Sequence, residues 1–283
     1  MEIGIMSRTI VRPTLEEELD ELSNHGIKCI QFDLSSTSFS SMPGKINDSL
    51  CNFIVRQMDR RAIRMAAISG TYNMIDPNLH RRADGMRRLR VLAAACNQLG
   101  TSVITLCTGT RSPENMWKRH TDNDTPEAWK DIVAAMHQAV QIAEQHEVTL
   151  AFEPEVSNVI DSAIKSRRLI DEIGSPRLKV CMDCANIFHL GELPRMREII
   201  DEAFTLLDSD IIIGHAKDLN RDGNAGHLAA GTGLLDYDQY LSLLNSLNFD
   251  VPLILHGLNE TQVDDCVAFL RGKMEIMGGL AKP

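Results

Sequence analysis

Four short apolar runs in this chain each end on a side chain able to hold a metal: Leu150-Ala-Phe-Glu153, Leu178-Lys-Val-Cys-Met-Asp183, Ile211-Ile-Ile-Gly-His215 and Leu253-Ile-Leu-His256. The candidate ligands follow one another at intervals of 30, 32 and 41 residues, about the length of one strand, one helix and their loops. This pattern predicts a (β/α)8 barrel with a metal at its C-terminal mouth. In such barrels residues from several strand ends converge on one point, and the chemistry sits there.

The rest of the chain repeats the same rhythm. Strand-length apolar runs alternate with amphipathic helical ones, the signature of a parallel sheet with crossover helices. Eight strands are predicted: Glu2 to Met6, Lys28 to Phe32, Arg64 to Ser69, Ser102 to Cys107, Thr149 to Glu153, Leu178 to Asp183, Ile211 to His215 and Leu253 to His256. A capping pattern of Thr14 followed by Glu17 opens a helix that runs to Asn24. A second helix, Asp84 to Leu99, stops at Gly100, and a third, Pro126 to His146, has a Thr-Pro start. With 283 residues, 43% of them hydrophobic, and no low-complexity linker, the expectation is one barrel domain over residues 1–283.

Charge and cysteine usage narrow the partners. The 29 basic and 39 acidic residues leave a formal charge of -10, which repels a phosphate backbone and speaks against nucleic acid. The N-terminus lacks a basic, then apolar, leader pattern, and no apolar run is long enough to span a bilayer, so a cytoplasmic location without membrane attachment is expected. Seven scattered cysteines, an odd number, read as buried hydrophobes of a reducing compartment. Cys181 and Cys184 form a CxxC, but on a strand the two side chains diverge and no second pair exists to complete a zinc site.

A glutamate, an aspartate and two histidines supply oxygen and nitrogen ligands suited to one divalent ion, Mn2+, Co2+, Mg2+, Fe2+ or Zn2+. An unpaired carboxylate in a barrel mouth carries a desolvation cost that a cation offsets, which makes Glu153, Asp183, His215 and His256 more telling together than apart. By period-two alternation Lys217 shares the inward face of His215. Two polar stretches, Thr108 to Asp124 and Lys217 to Thr232, follow strands and are lid candidates. His189, six residues past Asp183, is a reserve site residue; the other histidines read as surface residues.

At this point the chain resembles the xylose-isomerase-like TIM barrel superfamily, specifically the sugar phosphate isomerase/epimerase group that includes ketose 3-epimerases and hydroxypyruvate isomerase. The resemblance spans nearly the whole length and rests on Glu153-Pro-Glu155, Asp183-x-x-Asn186, His215-Ala-Lys-Asp218 and Gly231-Thr-Gly233 before a helix beginning near Asp236. It implies a Glu, Asp, His, Glu ligand set, which maps onto Glu153, Asp183, His215 and the position held here by His256. It implies substrate contacts at Asn186 and Arg221, to which Asn73 is added. It also implies a homodimer or homotetramer, although no interface is visible in the sequence.

The resemblance implies a divalent-metal-dependent isomerase or epimerase of a ketose, polyol or related sugar, acting through an enediolate intermediate. Glu153 or Glu155 would remove the proton beside the carbonyl, with Lys217 as proton donor or oxyanion stabiliser. In ketose 3-epimerases two glutamates flank the sugar; here only the first is present, and Glu155 or Glu260 would have to supply the second group. That departure keeps open a lyase or dehydratase acting on a keto-sugar, keto-glycoside or inosose. A non-catalytic sugar-binding barrel and an AP endonuclease are the remaining readings, the latter disfavoured because Asp33, Asn73 and Thr108 stand where additional metal-binding histidines would be needed. No glycine-rich phosphate cradle is present, so an unphosphorylated sugar or inositol-like ligand is expected.

Overall fold

The computed structural model describes residues 1–280. Eight parallel strands form the barrel: β1 (Ile3–Met6), β2 (Cys29–Phe32), β3 (Arg64–Ser69), β4 (Val103–Cys107), β5 (Thr149–Glu153), β6 (Leu178–Met182), β7 (Ile211–Asp218) and, after a short strand β8 (Leu228–Ala229), β9 (Leu253–Leu255). Each barrel strand pairs with the next, β6 with β7, β7 with β9, and β9 back to β1, which closes the sheet. Closure is carried by Ile3, Gly4 and Ile5 facing Leu253, Ile254 and Leu255 in parallel register. All eight predicted strands are found, six of them with an end shifted by one to three residues.

Helices α1 (Leu15–Asn24), α2 (Asp48–Asp59), α3 (Leu79–Leu99), α4 (Pro126–Gln145), α5 (Ala163–Ile173), α6 (Met196–Leu207), α7 (Tyr237–Ser246) and α8 (Val263–Leu280) surround the barrel. Local chemistry sets their ends. Thr14 and Glu17 exchange both bonds of a capping box at α1, and Thr125 caps α4 ahead of Pro126. Gly100 ends α3 at φ 80°, a left-handed conformation that costs glycine least. That helix begins at Leu79, five residues earlier than the sequence pattern suggests, because the Asn78 side chain accepts the N–H groups of His80 and Arg81.

Two cores result. The larger lies between barrel and helices and includes Ile5, Phe32, Ile68, Phe152, Val180 and Tyr240. The smaller fills the lower barrel with compact side chains: Cys29, Ala67, Ala151, Cys181, Ile213 and Ile254. Two positions further along the same strands stand Gln31, Ser69, Glu153, Asp183, His215 and His256. Period-two alternation therefore stacks a polar layer on an apolar floor. Among the described residues no helix is long and apolar enough to cross a membrane.

Candidate metal and substrate site

The polar layer opens into a cavity of about 610 Å³ at the C-terminal mouth. Its floor and walls come from strand ends, including Gln31, Ser69, Thr105, Glu153, His215, Lys217 and His256. Both expected lid segments reach it, the first through Met116 and Trp117 and the second through Asn224 and Ala225. Lys217 itself is not lid: β7 continues to Asp218 and pairs there, antiparallel, with β8. The predicted strand end at His215 is corrected by that hairpin, which supplies partners for a backbone that would otherwise be irregular.

Glu153, Asp183, His215 and His256 each offer one ligand atom, and these four atoms all lie within 4.8 Å of one another. His215 Nδ1 is 3.5 Å from Glu153 Oε2 and 4.0 Å from Asp183 Oδ2, and His256 Nδ1 is also 4.0 Å from Asp183 Oδ2. The two imidazoles meet edge to face with centroids 5.0 Å apart. His215 Nδ1 and His256 Nδ1 are buried and make no hydrogen bond, and buried Asp183 Oδ2 faces the Lys217 ammonium. Buried polar atoms are ordinarily paired, so two orphaned imidazole nitrogens converging on two carboxylates fit a divalent cation. A second acidic group, Glu21, His25 and Glu260, differs in being engaged: Arg12 binds both oxygens of Glu260, and Asp264 binds His25 Nδ1.

Neighbours hold the candidate ligands in place. Asn186 Nδ2 donates to Glu153 Oε1 at 2.6 Å, while its own oxygen accepts the N–H of Gly226 from the β7–α7 connection. Asp183 Oδ1 accepts from the N–H of Ala185. Gln31 Oε1 lies 2.9 Å from His215 Nε2. The Lys217 ammonium reaches Asp183 Oδ2 at 3.1 Å, so this side chain faces inward, as the alternation predicts. Gly257, at φ 70°, leaves Lys217 its path: an added Cβ would sit 2.8 Å from the lysine Cδ.

Charge is distributed unevenly. Burial opposes ionisation of Glu153, but His215, then Lys217, hold it well below the usual carboxylate range. Burial pushes Asp183 up, Lys217 opposes this, and Glu153 adds to it. Glu155, buried in the wall and with Oε1 unpartnered, is pushed up to about 7 by burial and then by the charge of Glu153. Lys217 stays protonated because Asp183 and Glu153 outweigh its burial. His256 is pushed down to about 3 by burial and then by Lys217, which keeps its lone pair free.

Four residues singled out in the sequence fall elsewhere. Asn73 does not line the cavity; its side chain accepts the N–H of Thr110 and donates to the carbonyl of Thr110, fastening the root of the β4–α4 loop. Arg221 is exposed on the β7–α7 connection and is likewise outside the cavity wall. Glu260 is held by Arg12 at 2.6 Å, away from the mouth. His189 Nε2 lies 3.9 Å from Asp161 Oδ1, outside the cavity wall. Conversely, Gln31, Ser69 and Thr105 join the site although they were not among the expected residues. Their only signal in the sequence is a polar residue two positions beyond a small or apolar one on a barrel strand.

Residues 19–273 match the family described as xylose isomerase-like TIM barrel. A search of curated proteins finds no match. Among solved structures, a D-tagatose 3-epimerase-like protein is similar with a TM-score of 0.79 at 14% identity, covering 100% of both chains. The 3-keto-D-glucoside 4-epimerase of E. coli has a TM-score of 0.72 at 15% identity, over 96% of this chain and 99% of that one. The IolI protein, solved with a binding zinc atom, has a TM-score of 0.72 at 15% identity, over 97% and 96%. At such identities the likeness is one of fold.

Proposed function

The chain belongs to the xylose isomerase-like TIM barrel family, and from that premise we propose that it is a divalent-metal-dependent isomerase or epimerase of a ketose, polyol or related carbohydrate. The observation that carries this reading is the meeting of two unpartnered buried nitrogens, on His215 and His256, with the carboxylates of Glu153 and Asp183. These four residues would hold one ion of the Mn2+, Co2+, Mg2+, Fe2+ or Zn2+ group. Bound there, such an ion would act as a Lewis acid toward a substrate carbonyl and acidify the adjacent C–H.

The chain's own groups would do the rest. Glu155, buried beside the cavity with a free oxygen, takes the proton to leave an enediolate; Glu153, held ionised, is the other candidate base. Return of the proton to the opposite face gives the epimer, and return to the neighbouring carbon gives the isomer. Lys217 places a fixed positive charge where the substrate oxygen becomes negative. Asn186 orients Glu153 and lines the cavity. The neighbours solved as sugar epimerases support the carbohydrate substrate class, and seven buried, unbridged cysteines support a reducing, cytoplasmic setting.

The test is elemental mass spectrometry on protein purified without chelator, followed by exchange of substrate C–H for deuterium. One equivalent of metal is expected, lost in Asp183→Ala and in His256→Ala. Ketoses and keto-glycosides should then exchange the hydrogen beside the carbonyl, about 100-fold more slowly in Glu155→Gln. Protein that retains no metal after soaking overturns the reading. One observation favours a second reading: β9 is followed by His256, an imidazole held neutral, rather than by a second carboxylate. Elimination of a leaving group needs one base fewer on that side, so an unsaturated product would identify a lyase.

A further inference from the structure

We infer that Gln31 is a positioning residue that sets which ring nitrogen of His215 faces the four-residue cluster. This rests on the proposed metal site but concerns the protein's own hydrogen bonds. Gln31 is buried at the end of β2 and its carboxamide meets three groups from three other strands. Nε2 lies 3.1 Å from Ser69 Oγ on β3 and 2.9 Å from Thr105 Oγ1 on β4; Oε1 lies 2.9 Å from His215 Nε2 on β7. The amide has two N–H donors and one oxygen, and in this orientation each donor finds one hydroxyl. Reversed, the amide would crowd both hydroxyls onto the oxygen and strand one buried N–H, which proteins avoid.

With the oxygen toward His215, the ring must donate from Nε2. The lone pair is then left on Nδ1, and Nδ1 is the atom 3.5 Å from Glu153 Oε2 that has no hydrogen bond of its own. A polar belt across β2, β3 and β4 thereby reaches over the barrel to a ligand on β7. A hydrogen bond to the far nitrogen of a ligating histidine fixes both its tautomer and its ring orientation.

Two variants separate this role from mere packing. Gln31→Glu keeps an acceptor facing His215, whereas Gln31→Met keeps the length and loses the hydrogen bonds. Nitrogen-15 NMR of metal-free protein at pH 8 should place the His215 ring proton on Nε2 in the native protein and in Gln31→Glu, and should show a mixture in Gln31→Met. Titration with zinc alone should show affinity within about threefold of native for Gln31→Glu and a loss of about 10- to 100-fold for Gln31→Met. A ring proton on Nδ1 in the native protein, or Gln31→Met with native spectrum and native zinc affinity, overturns the assignment. If the native protein binds neither zinc nor any of the other four ions, the proposed function fails while the ring-proton measurement still decides the role of Gln31.

Discussion

Glu18 shows how one side chain can tune stability without touching the site. It lies on α1, fully buried, with neither oxygen hydrogen-bonded and Arg8 only at 3.9 Å. Burial pushes its pKa from the ordinary 4.5 up to about 7. The folded state thus holds this proton more tightly than the unfolded chain, so the contribution to stability is full below about pH 4.5 and lost as pH rises through 7. Removing the charge should reverse that loss. Glu18→Gln is expected to be near native in stability at pH 5 and about 3 kcal/mol more stable at pH 8.5, by urea denaturation. Equal gains at both pH values would show that the charge is not the cause. Single residues were also where sequence reading was weakest. Asn73 and Arg221 carry suitable chemistry at suitable places in the chain, yet one is consumed by the Thr110 backbone and the other faces solvent. A side chain's partner depends on which loop lies over it, and local sequence does not encode that.

At the scale of elements, the most informative is β7 with its return strand β8. The run His215-Ala-Lys-Asp218 and the later Gly231-Thr-Gly233 stood out together in the sequence, and one carboxylate joins them. Asp218 Oδ2 accepts the N–H groups of Gly231 and Gly233, and Oδ1 those of Leu219 and Leu235. The glycines follow from that closeness: an added Cβ at Gly233 would collide with the Asp218 carboxylate, and Gly231 has φ 84°. Asp218 is therefore a structural acceptor that closes the β7–α7 connection over the cavity. Asp218→Ala strands buried donors and should cost about 3 kcal/mol in urea denaturation, with Asp218→Asn intermediate because one acceptor oxygen remains. A loss under about 1 kcal/mol in Asp218→Ala would mean the loop is held by other contacts. Helix and strand periods made these elements legible, while the hairpin that extends β7 was not, since β8 is only two residues long.

At the scale of the whole molecule, the barrel works because its interior has two unlike storeys. The lower one is apolar, built of Cys29, Ala66, Ala67, Ala151, Cys181, Ile213 and Ile254. Gly4 is closely packed there: a Cβ would lie 2.7 Å from Ile254 Cδ1 and 2.8 Å from the carbonyl oxygen of Cys29, a backbone atom with little room to retreat. Gly4→Ala should cost about 2 to 3 kcal/mol, visible as a drop of several degrees in thermal unfolding, even though alanine has only one extra carbon. An unchanged melting temperature would show that β1 and β9 can slide apart. The upper storey pays for its polarity by pairing Asn186, Gln31 and Lys217 with the candidate ligands.

The sequence by itself determined the alternation of strands and helices, the barrel, and the strand ends at which Glu153, Asp183, His215 and His256 lie, because period and capping are local properties of the chain. Only the tertiary structure decided that four ligand atoms come within 4.8 Å, that Gln31 reaches His215 across 184 positions of sequence, and that Arg221 does not reach the cavity. Those outcomes depend on how a closed sheet staggers its strands and on which loop folds over which strand end. Both are set by packing of the whole chain, which no short stretch of sequence contains.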